Sequence, residues 1–297
     1  MILVTGATGN VGREVVKLLL ADGEKVAAVT RNPSAAELPG DAHVIGGDPS
    51  RPTTLASALS GVEAVFLSPR AVGHGTAELL ALVAAQGAKR VTVISAVTVE
   101  YGGGYRRFAD AYKAVEDTVK ASGLEWTILR CADFAANTLV WAPQMRTTGV
   151  VRGAYGDAAT STIDERDVAA VATRALVNRC HGERCYVLTG PQSLTQRDKV
   201  HSIGATIGRS LSWEEIPPLQ VRQAMIAQGL PDEVPDRLLG YLADRIEQPG
   251  PSSTAVAEIL GRPARTFAAS HSWSSSNWFK RSWSPARMRC ADRLRNP

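Results

Sequence analysis

The chain has 297 residues, is 44% hydrophobic and carries a formal net charge of +4. That length and apolar content suit a large α/β domain with a substantial core and exclude a disordered polymer. Four cysteines, Cys131, Cys180, Cys185 and Cys290, are too few for a disulfide framework in so long a chain. Reduced thiols and a cytoplasmic location are therefore expected. No apolar run reaches the roughly 20 residues that span a bilayer, and the start lacks the marks of a secretory leader, so no membrane partner is expected.

The basic balance is local. From Ala269 to Pro297 six basic residues face one acid, a charge of +5, which leaves the first 268 residues at −1. No nucleic-acid partner is expected of the body.

In chain order, Ile2 to Thr5 reads as a short buried strand and Val11 to Ala21 as a helix with apolar spacing. Lys25 to Thr30, His43 to Gly46, Ala64 to Leu67, Arg90 to Ile94 and Glu125 to Arg130 are further strands. Helical stretches lie between them, clearest at Gly75 to Gln86 and Tyr105 to Ser122. Apolar strands alternating with helices predict a parallel sheet covered on both faces, an α/β doubly wound fold of the Rossmann type. Further on, Glu165 to Asn178 reads as a helix capped by Asp164, Arg184 to Leu188 as a strand, and Thr195 to Ile207 as a helix. Leu219 to Leu242 reads as helical pieces broken by Gly229, Pro231 and Pro235.

The expected organisation is a nucleotide-binding domain over residues 1–137 and a small α/β cap over 138–268, interleaved with the core. A tail follows over 269–297. The tail holds seven serines and three tryptophans with no apolar periodicity, and is expected to be disordered. A basic aromatic binding arm and an out-of-frame end are both open readings of it.

The strongest motif is Gly6-Ala7-Thr8-Gly9-Asn10-Val11-Gly12, which leaves the first strand and opens the first helix. Glycines there allow a tight turn, close backbone approach to a pyrophosphate and close helix–strand packing, while the helix start offers free N–H groups. Gly6, Thr8, Gly9, Asn10, Val11 and Gly12 are thus candidate cofactor-binding residues. The second strand ends in Arg31-Asn32, where an NAD site would place an acid. A guanidinium in that slot suits the 2′-phosphate of NADP(H); a solvated surface Arg is the other reading. Asp48, after the third strand, is a candidate for the adenine amino group or an ordinary turn residue.

Taken together, Thr5 to Gly12, Thr30-Arg31-Asn32-Pro33, Lys113 with Glu116, and Ser122 to Arg130 resemble the NmrA-like branch of the atypical short-chain dehydrogenases. Phe134 to Asn137, Ile163 to Ala169 and Leu188 to Pro191 continue the likeness, which spans about residues 1–268. The resemblance implies that Lys113 bonds the nicotinamide ribose and that Cys131 to Phe134 lie along the nicotinamide. It implies NADPH-dependent reductases of quinones, azo compounds or phenolic intermediates, or redox sensors that bind NADP(H) without turnover.

Short-chain dehydrogenases pair a Tyr with a Lys four residues later, yet four before Lys113 stands Ala109, so no catalytic residue is assigned. Tyr105 and Tyr112 are out of that register. Lys113 has a second reading, a surface lysine paired with Glu116 or Asp117, and Cys131 a second reading as a small buried filler. The thiols and His of Cys180-His181-Gly182-Glu183-Arg184-Cys185 lack structural zinc spacing, so no metal is expected. The expected function is hydride delivery from NADPH to a small electron-poor acceptor, aromatic ones among the candidates, such as a quinone. The alternative is a non-catalytic NADP(H) sensor acting through a protein partner.

Overall fold

Short aliphatic runs with no polar alternation can be buried on both faces only inside a parallel sheet, and six of them become neighbouring strands. The computed structural model describes residues 1–102 and 106–272. Strands β1 (Ile2–Val4), β2 (Val26–Thr30), β3 (His43–Gly46), β4 (Ala64–Leu67), β5 (Arg90–Ala96) and β6 (Glu125–Cys131) join β9 (Arg184–Leu188) in one sheet. Its order is β3-β2-β1-β4-β5-β6-β9, and every pairing in it is parallel. The order reverses between β1 and β4, and that reversal opens the crevice at the carboxyl edge in which such sheets bind ligands.

Two apolar layers cover the sheet. Helix α1 (Asn10–Ala21) buries Val11, Val15, Val16 and Leu19 against one face, next to α7 (Glu165–Val177). Helices α2 (Pro69–Val72), α3 (Thr76–Ala85), α4 (Thr98–Tyr101) and α5 (Arg106–Lys120) follow β4 and β5. Leu79, Leu80, Val83 and Val119 fill the opposite face with Leu55 and Leu59. The second half therefore returns α7 and β9 to the core. Asp164 caps α7 by accepting a hydrogen bond from the Arg166 backbone N–H.

The cap holds α6 (Ala142–Thr147), β7 (Val150–Gly153), β8 (Ala159–Thr160), β10 (Leu194–Thr195), α8 (Gln196–Ile207) and β11 (Ser212–Glu215). Helices α9 (Pro218–Ala227), α10 (Glu233–Glu247), α11 (Ala255–Leu260) and α12 (Phe267–Ser272) complete it. The strands β7, β8, β10 and β11 are two to four residues long, too short for alternation to reveal. Pro235 does not break the chain: it stands third in α10, within the first turn, where backbone N–H groups are unpaired in any helix. Helix α12 buries Phe267 beside α8 and runs four residues past the boundary expected at Ala268. The expectations for Tyr105 and for the tail from 273 onward fall outside the described residues.

Candidate functional site

The glycine loop is shaped by contacts that side chains would fill. Gly6 adopts φ +64°, in the left-handed region that favours glycine. A Cβ on Gly12 would drive into the Gly6 carbonyl, which is why α1 can start so close under β1. Gly9 is exposed, and its N–H donates to the Gly6 carbonyl at 2.9 Å, closing the turn. No side chain caps α1, and its first turn holds no acid. Free N–H groups at the positive end of the helix dipole therefore face solvent at the sheet edge. This cradle fits a pyrophosphate. Thr8 and Asn10 lie at its surface, whereas the Val11 side chain is buried and can offer only its backbone N–H.

Thr5 ties this loop to the next strand. Its hydroxyl donates to the Phe66 carbonyl at 3.0 Å and accepts from the Ser68 N–H at 2.8 Å.

Arg31 and Asp48 come together at the far end of the crevice, since β2 and β3 are paired from Ala27↔His43 to Thr30↔Gly46. Arg31 is exposed. Asp48 accepts from the Ser50 N–H at 3.0 Å and the Ser50 hydroxyl at 2.8 Å, the turn geometry of its second reading. Partial burial would raise its carboxyl, but the Ser50 bonds and the charges of Arg31 and Arg51 hold it below its usual value.

At the other end, the residues after β6 form an apolar floor. Cys131 is buried in the core with Ala132, and burial pushes its thiol well up, so it is no nucleophile. Phe134 packs against that core and pairs with Ile163 in a parallel bridge. Beside them Asp133 Oδ2 accepts from the Thr162 hydroxyl at 2.6 Å and from Lys199 Nζ at 3.3 Å. The Ala136 N–H donates to Glu165 at 2.8 Å, and burial pushes the Glu165 carboxyl up to about 7.

Helix α5 turns a different face to this edge than Lys113. Lys113 is exposed and bonds both Asp117 oxygens, at 2.9 and 2.8 Å, the arrangement of its second reading. Phe108, Tyr112 and Glu116, four residues apart, share the inward face. The Phe108 and Tyr112 rings meet at a tilt of 56°, with centroids 4.8 Å apart. Burial, then the nearby Cys131, raise the Tyr112 phenol, while Arg70 and Arg237 oppose this. In the sequence Tyr112 is out of register when Lys113 is the mark. Glu116 is the better mark: it accepts from the Ser95 hydroxyl at 2.6 Å and from Arg130 at 2.9 and 2.7 Å.

The crevice thus has a phosphate cradle at its centre, a cation at the β2 end and an apolar floor at the β6 end. A family profile described as NAD(P)H-binding matches residues 6–179. The chain belongs to that family. Within it, the chain is a member of the NmrA-like branch of atypical short-chain dehydrogenases, and its cofactor is NAD(P)H.

Two relatives match nearly end to end. The (4-alkanoyl-5-oxo-2,5-dihydrofuran-3-yl)methyl phosphate reductase of Streptomyces griseus is 36% identical over 93% of this chain and 98% of its own length. The NAD(P)H azoreductase of Xenophilus azovorans is 33% identical over 90% and 96%. The NADPH-dependent quinone oxidoreductase of Escherichia coli, solved with NADPH, superposes with a TM-score of 0.77 at 25% identity, covering 94% of this chain and 100% of that one.

The cap also adds groups to the crevice of this NAD(P)H-binding chain that carry no sequence motif. Arg237 lies 4.6 Å from the Phe108 ring centroid, and Tyr241 stands near Asp133. Their four-residue spacing is present in the sequence, but α10 runs on to Glu247, past the helical pieces expected to end at Leu242.

Proposed function

We propose that this protein transfers hydride from NADPH to an electron-poor conjugated acceptor such as a quinone, bound at the β6 end of the crevice beneath α10. One observation carries the reading: near full-length likeness to reductases. Their named acceptors, an acylated dihydrofuranone that carries a methyl phosphate and an azo group, share with a quinone a double bond whose product anion is delocalised.

When bound, NADPH supplies the hydride; the protein supplies position. The open N–H groups of α1 anchor the pyrophosphate, and Arg31 pairs with the 2′-phosphate. Cys131, Ala132 and Phe134 form a dry wall on which the nicotinamide and acceptor rest. A delocalised product anion needs no strong acid, which suits a site whose inward helix face holds Phe108 and Tyr112. The Tyr112 hydroxyl can donate a hydrogen bond to an acceptor oxygen. Asp48 serves the adenine end. The test is NADPH consumption with naphthoquinones, azo dyes and acylated dihydrofuranones. Turnover with at least one class is expected, and none with isolated ketones.

A further inference from the structure

Helix α10 carries Arg237, Tyr241 and Arg245, each four residues after the last. That spacing keeps them on one face over roughly 12 Å of axis. The face is turned to the crevice. Arg237 lies over the Phe108 ring, 4.6 Å from its centroid, Phe108 meets Tyr112 at a tilt, and Arg245 lies 5.4 Å from the Tyr241 ring centroid. Tyr241 in turn stands close enough to Asp133, at the end of β6, to feel its charge.

Arg245 is the anomaly in this row. Only two cationic side chains, Lys199 and Arg245, are buried among the described residues. Lys199 has the Asp133 carboxylate at 3.3 Å. Arg245 is 4% exposed, yet no carboxylate of the described residues lies within ion-pair distance, and its Nε has no hydrogen-bond partner. A buried guanidinium without a counter-charge is costly, and it persists where something outside the folded chain supplies the missing charge. Asp133 forms no ion pair with Arg245: its Oδ2 takes Lys199 and the hydroxyls of Thr160 and Thr162, and its Oδ1 is buried without a hydrogen-bond partner. Arg70, beside Tyr112, adds a further positive charge to the same end of the crevice.

From this we infer that the Arg237–Tyr241–Arg245 face is an oxyanion subsite, and that the acceptor bears a phosphoryl group held by Arg245 with Arg237 flanking it. The inference rests on the hydride-transfer reading for the word acceptor; the subsite itself does not. A guanidinium offers parallel N–H donors that match phosphoryl oxygens, and a dianion suits a cleft lined by several cations. The subsite lies at the β6 end, across the sheet from Arg31, so it is separate from the place expected for the cofactor's 2′-phosphate.

The probe is phenyl phosphate, with phenol as its uncharged counterpart, titrated calorimetrically into protein saturated with NADP⁺. Phenyl phosphate should bind at least tenfold more tightly than phenol. Arg245→Met and Arg237→Met should each weaken it tenfold or more, and Arg31→Ala should leave it unchanged. Phenyl phosphate should also raise the KM for a naphthoquinone without lowering kcat. Equal binding of phenol and phenyl phosphate, or loss only in Arg31→Ala, would overturn the subsite. If Arg245→Met does not fold, Arg237→Met and the wild-type comparison decide. Arg245-dependent binding without turnover of any acceptor would keep the subsite and remove the hydride-transfer reading.

Discussion

Arg130 on β6 and Glu116 on α5 meet at 2.7 Å, and the same carboxylate accepts from the Ser95 hydroxyl at 2.6 Å. One acid, 1% exposed in its side chain, thereby ties a helix to the ends of two neighbouring strands directly beneath the crevice. Arg130 reaches on to Glu100 at 2.9 Å.

Removing that acid leaves Arg130 half-enclosed with only the Glu100 contact. Glu116→Leu should destabilise the fold by about 3 kcal/mol, the lower end for a broken buried pair because Arg130 keeps some solvent. Urea unfolding checks it. Burial alone would raise the Glu116 carboxyl, but the bonds from Arg130 and Ser95 win and hold it below 4.5. Its contribution is present above that value and is lost as pH falls through the lower folded value. The acid limb of the stability curve should therefore be shallower in Glu116→Leu than in the wild type.

Two glycines of the loop separate binding from folding. Gly9 is exposed and has ordinary backbone angles, φ −78° and ψ 176°. Gly9→Val should keep native circular dichroism and abolish NADPH binding, because the side chain occupies the pyrophosphate's approach. Gly12→Ala should instead lower Tm, since its Cβ would meet the Gly6 carbonyl inside the fold. Normal NADPH binding by Gly9→Val would move the cofactor elsewhere.

Much of this loop was legible beforehand because its chemistry is local. The strand, the turn and the helix start lie within twelve residues, and each glycine answers to a neighbour in sequence. The same holds for Asp164, whose cap reaches only to Arg166. What the sequence hid is long-range. Tyr112 gains its place from Cys131 and Arg237, and Arg245 is notable only because no carboxylate of the described residues comes to it. Lys113 misled for a related reason: its helix is amphipathic, and only the burial of Glu116 fixes which face looks inward.

Cofactor choice should follow Arg31. Arg31→Ala should lose about 1.5–3 kcal/mol of NADPH affinity, the range for a charge-assisted hydrogen bond, and leave NADH unchanged. Fluorescence titration with both nucleotides measures this, and equal losses for the two would assign Arg31 to the surface.

Glu165 gives a pH signature of opposite sign to Glu116. Burial pushes its carboxyl up to about 7, against an N–H bond from Ala136. The stability carried by its neutral form is complete below about 4.5 and is lost as pH rises through about 7. Glu165→Gln should exceed the wild type by about 1–3 kcal/mol near pH 8 and match it near pH 4.5. Thermal melts across that window check the claim; a constant gap at every pH would show that the carboxyl does not titrate there.

The central claim is that the crevice brings NADPH and a conjugated acceptor together for hydride transfer. The most direct measurement is the rate of NADPH oxidation, followed by its absorbance, as a naphthoquinone is titrated into the full-length protein. The account predicts oxidation that saturates in quinone, is much slower with NADH at equal concentration, and is lost in Gly9→Val. Tight NADPH binding with no oxidation by quinone, azo dye or dihydrofuranone would contradict it and leave a nucleotide-binding protein without turnover.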